Sequence, residues 1–136
     1  MKPKPPRAVI FDDTALLALG AGTPSASRLV VEAETDPTLR VYIPALCLTL
    51  AEAERAGVAD HVSSLPSVDI TPLDFPAITA VAGRARDHAH GDWGGTHALH
   101  LARPSVEWPL GRPVLTRSPT RYRGTGVRTI PIPENA

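Results

Sequence analysis

The sequence predicts an α/β chain, a three-layer α/β/α sandwich around a central parallel sheet of four to five strands. Three observations carry that expectation. Short apolar runs rich in β-compatible residues alternate with longer segments of helical period. Pro, Gly or Asp punctuates most of the junctions between them. The chain has 136 residues, 43% of them apolar, enough to bury one real core without disulfides or metals. The expected organisation is a flexible tail over 1–6, a single domain over 7–132 and a second tail over 133–136.

The elements follow in order. "AVIF" (8–11) reads as a strand ended by Asp12 and Asp13. "TALLALGAG" (14–22) reads as a short helix, capped by Thr14 or Asp13 and stopped by its glycines. "SASRLVVEAET" (25–35) places Leu29, Val30 and Ala33 at helical spacing behind a serine cap. "RVYI" (40–43) is a second strand halted by Pro44, and 45–57 is a helix with a broad apolar face. A short helical piece over 58–65 precedes a third strand, "SVDI" (67–70). Residues 74–89 form a helix that tolerates Pro76 in its first turn, and 93–104 form another, weakly started by two glycines. "PVLT" (113–116) is the fourth strand. "VRTIPI" (127–132) is the fifth, placed at an edge because Pro131 removes a ladder donor.

Bulk chemistry narrows the function classes. Lys+Arg and Asp+Glu both number 14, so no net basic field draws in nucleic acid from a distance. One cysteine, Cys47, excludes an internal disulfide and reads as a small core residue in "ALCLTL". No apolar run approaches a membrane span, and the basic start "MKPKPPR" is followed by no signal-like apolar stretch. A cytoplasmic protein without membrane association is expected.

In a parallel α/β sheet, ligands bind beyond the carboxyl ends of the strands. Asp12 and Asp13 fall there after the first strand, and Ser118 after the fourth. Strand alternation points Asp12 to the opposite side from Asp13 and makes it a bystander. Glu52 lies in the apolar helical stretch "LTLAEAERA", where a charged carboxylate needs a partner or solvent. The segment "RDHAHGDWGGTH" gathers Asp87, His88, His90, Asp92 and His97. It reads either as ligands for Mn²⁺ or Zn²⁺ or as a turn and helix cap with solvated or packed histidines. Arg117, Arg121 and Arg123 surround Ser118, where guanidinium forks suit phosphate or simply stay solvated.

Four pieces in order, "VIFDDTALLAL", "LTLAEAERA", "GGTHALHLAR" and "PVLTRSPTRY", give a chain that resembles the PIN-domain family, the VapC-type toxins and related metal-dependent nucleases, in a degenerate form of actinomycete style. The resemblance implies the family's first carboxylate at Asp13, its hydroxyl at Thr14 and its helical glutamate at Glu52. It also implies one or two Mg²⁺ or Mn²⁺ ions that polarise a phosphate and activate water. The third and fourth carboxylates are expected where this chain has Gly95 and Ser118. The expected catalytic set is therefore Asp13, Glu52 and Asp92, the last as a substitute acid, with Asp13 and Glu52 as metal ligands. Thr14, Arg117, Ser118 and Arg121 are the expected substrate contacts. With two acids missing, a binding scaffold for protein or RNA is expected ahead of a toxin-type endoribonuclease whose metal has been retained. Homodimerisation and an antitoxin-like partner are implied by the same resemblance.

Overall fold

The computed structural model describes residues 5–87 and 92–133. Five strands, β1 (Arg7–Phe11), β2 (Leu39–Pro44), β3 (Val68–Thr71), β4 (Val114–Thr116) and β5 (Thr129–Pro131), form one sheet in the order β3-β2-β1-β4-β5. All four pairings are parallel. Ile10 faces Tyr42 on one side and Val114 on the other, which places β1 at the centre. Burial on both faces explains its uninterrupted apolar run: Ala8 to Phe11 are all buried.

The described residues include six helices: α1 (Asp13–Gly20), α2 (Pro24–Thr35), α3 (Ala45–Glu54), α4 (Val58–Ser63), α5 (Phe75–Asp87) and α6 (Trp93–Ala102). They cover the sheet and complete a three-layer α/β/α sandwich. None is long and apolar enough to cross a membrane. The core joins Ile10, Phe11, Leu16, Val41, Ile43 and Leu115, with Cys47 fully buried among them. The tails at 1–4 and 134–136, and His88 and His90, lie outside the described residues.

Local departures from expectation have simple causes. Asp12 caps α1, its carboxylate accepting the amide of Ala15 at 3.0 Å, where Thr14 or Asp13 had been expected. Pro131 does sit on an edge strand, paired only through Thr116 of β4. After β4 the chain makes a turn of 3-10 helix, Pro119–Tyr122. The chain runs outward from β1 to β2 and β3, then returns to lay β4 against the other side of β1. That reversal leaves a crevice at the carboxyl ends of β1 and β4.

Candidate functional site

Three carboxylates and one guanidinium meet in this crevice. Asp12 and Asp13 leave the end of β1, Asp92 caps α6, and Arg121 comes from the 3-10 turn after β4. One Arg121 terminal nitrogen lies 2.5 Å from Asp13 Oδ1 and 3.3 Å from Asp12 Oδ2. The other donates to Asp92 Oδ1 at 2.6 Å, and Nε donates to Asp92 Oδ2, so the Asp92 pair is a two-pronged fork. Burial alone would lower the basicity of Arg121. The hydrogen bonds it donates to Asp92 and Asp13 outweigh it and hold the guanidinium charged more firmly than usual.

Asp12 corrects a sequence expectation. It is fully buried and turned into the site. Alternation does not apply, because β1 stops at Phe11 and the backbone bends into α1. The carboxylate takes hydrogen bonds from Thr14 Oγ1 at 2.6 Å, the Ala15 amide and the Tyr122 hydroxyl at 2.8 Å. These donors, with the positive end of α1, stabilise a charge that burial would otherwise make costly. Burial first, then the Asp12 charge, pushes the Tyr122 hydroxyl well above its ordinary range. Sequence reasoning passed over Asp12 and Tyr122. The one available signal was the placement of Asp three residues before the first buried helical alanine, Ala15, a capping pattern.

Asp92 is half-exposed at its side chain yet strongly tied. Burial would raise its pKa, but the Arg121 fork and the Gly95 amide at 3.0 Å lower it below the usual carboxylate value. Gly95, where the resemblance expects a carboxylate, makes this pair sterically possible. A Cβ there would land on the Asp92 carboxylate and 2.5 Å from Arg121 Nε. A Cβ at Gly94 would stand 2.6 Å from Leu50 Cδ1. The carbonyl of Gly94 accepts the thiol of Cys47 at 3.1 Å.

Apart from Thr14, which donates to Asp12, the other expected residues make no side-chain hydrogen bond or ion pair with the aspartates or Arg121 among the described residues. Both carboxylate oxygens of Glu52 accept the Gly57 amide, at 2.8 and 3.1 Å, and fasten the turn between α3 and α4. No hydrogen bond or ion pair joins Glu52 to the aspartates among the described residues. Thr14 is integrated into the framework: it accepts the Arg117 amide at 2.9 Å and lies 3.3 Å from the hydroxyl of Thr116. Arg117 donates its guanidinium to Thr23 at 3.1 Å. Ser118 starts the 3-10 turn, its amide donating to Thr116 Oγ1 at 2.9 Å and its carbonyl accepting from Arg121. His97 is buried, and its Nδ1 accepts the Leu46 amide in the first turn of α3 at 3.3 Å. Burial, then the neighbouring His100, lowers its pKa and keeps it neutral for that bond.

No family model matches the chain, and no curated protein matches it at a significant level. The residues themselves do not fit a magnesium or manganese centre in this arrangement. Mg²⁺ needs close to six oxygens in near-octahedral order at about 2.1 Å. Here the point on which the aspartates converge is filled by the Arg121 guanidinium, and Glu52 serves the α3–α4 turn. Among the described residues no group of three or more His, Cys, Asp or Glu is arranged to hold a metal ion. Chemically, the arrangement is a latch in which one guanidinium ties three carboxylates, two at the start of α1 and one at the start of α6.

Proposed function

We propose that this chain is a PIN-like binding domain in which an internal arginine occupies the position of the family's metal, and that it works as a cytoplasmic scaffold for a partner rather than as a nuclease. The observation that supports this reading is the contact of Arg121 with three aspartates, Asp12, Asp13 and Asp92. A guanidinium there satisfies the carboxylates without supplying a Lewis acid or an activated water. The balanced charge of the chain favours a protein partner, such as a small antitoxin-like segment, over RNA bound through its phosphates. Self-association into a homodimer belongs to the same reading.

Calorimetric titration of Mn²⁺ into the wild-type chain and an Asp13→Asn variant, near neutral pH, tests it. No heat of binding up to millimolar Mn²⁺ is expected for either protein. Micromolar binding by the wild type that disappears in Asp13→Asn would sink the scaffold reading. A metal-dependent endoribonuclease of the VapC type would then be the better account.

A further inference from the structure

A second concavity lies at the opposite, amino-terminal edge of the sheet. Its volume is about 590 Å³, within the usual range of small-molecule sites. Val9, Leu29, Leu39 and Ile130 contribute its walls, and Trp108 and Leu110 its roof. The roof belongs to the connection between α6 and β4, and it is held rather than loose. Ser105 and Trp108 exchange two hydrogen bonds, at 2.9 and 3.0 Å. The Gly111 amide donates to the Trp108 carbonyl, and Arg112 donates to the carbonyls of Leu101 and Ala102. Arg112 also stacks on Tyr42, whose ring meets Trp108 edge to face with centroids 6.2 Å apart.

These ties fix the connection that carries Trp108 and Leu110, and Leu110 and Ile130 leave apolar surface accessible beside the buried Val9 and Leu39. Leu110 is 85% exposed although it faces an apolar space. Covering such surface with an apolar ligand is favourable. The charged groups at the rim decide the kind of ligand. Arg7 is already engaged by Asp36 at 3.1 Å and Glu32 at 3.5 Å. Among the described residues Arg128 and Glu107 remain, one of each sign, with Arg128 donating to the carbonyls of Leu110 and Gly111. Neither a cation nor an anion gains from that balance.

We infer that this concavity is a preformed binding site for an uncharged, largely apolar small molecule. It is independent of the acid cluster and of the function proposed for it. The test uses the neutral fluorescent probe N-phenyl-1-naphthylamine with the full chain. One probe per chain is expected to bind at micromolar strength, at least tenfold more weakly in Leu110→Asp. Binding should be unchanged in Val106→Asp, since Val106 is fully exposed and outside the lining. In a Trp93→Phe background, the bound probe should quench the emission of Trp108. Absence of saturable binding, equal binding by Leu110→Asp, or equal loss in Val106→Asp would overturn the inference. Tighter binding of an anionic naphthalene sulfonate than of the neutral probe would overturn it too. Sedimentation of the same proteins covers the remaining occupant: if Leu110→Asp abolishes self-association and spares probe binding, the concavity is an interface between copies.

Discussion

At the scale of single residues, the crevice is governed by one buried acid. Asp12 has no solvent exposure and satisfies its charge through Thr14, Ala15, Arg121 and Tyr122. Tyr122→Phe removes one donor to a buried carboxylate and should cost about 2 kcal/mol. The pH dependence carries the sign. Because the folded-state pKa of Tyr122 is raised, its stabilisation is complete below the unfolded value of about 10 and is lost as pH rises beyond it. Above about pH 10 urea midpoints should thus fall in the wild type, and less steeply in Tyr122→Phe. Equally steep curves would show that the hydroxyl is not held by Asp12.

At the scale of elements, the start of α6 depends on having no side chain at position 95. An alanine replacing a helical glycine ordinarily stabilises by about 1 kcal/mol. Gly95→Ala should do the reverse here, destabilising by about 2 kcal/mol, because the added methyl would strike both Asp92 and Arg121. Thermal or urea unfolding decides the sign, and a stabilised variant would mean that the Asp92–Arg121 fork does not form. Glu52 shows the same dependence on neighbours. Its place on an apolar helical stretch called for a partner. Which one was a matter of the α3–α4 turn, where the backbone at Gly57 takes φ +100° and presents its amide.

For the molecule as a whole, Asp92 and the buried His97 make acid the expected weakness. His97 and Asp92 both have folded pKa values lowered from their ordinary ones. Each therefore contributes stability above its unfolded pKa that is lost as pH falls through the folded one. The His97 contribution should begin to fade below about pH 6.5, and that of Asp92 below about pH 4. With 43% of its side chain exposed, Asp92 should contribute no more than about 1 kcal/mol. Denaturant midpoints across pH 3 to 8 should fall in two stages, with Asp92→Asn flattening only the lower one. A single transition unaffected by that substitution would contradict the assignment.

Alternating apolar runs and helical periods were enough to derive the parallel α/β/α sandwich, its strands and the edge position of Pro131, since those depend on local spacing and chain-wide rhythm. A site beyond the carboxyl ends of the strands was expected from the parallel sheet, with Asp13 and Asp92 among its acids, while the strand order that sets β4 beside β1 came from the tertiary structure. The inward turn of Asp12 was not legible, because it depends on the residue at which strand geometry gives way to a helix start. Nor was the role of Arg121, which reads in sequence as one of three arginines in a loop. Its partners are 29 to 109 residues away. Pairings over such distances are selected by packing and electrostatics in the folded chain, so only the tertiary structure decided that the acids close on an arginine.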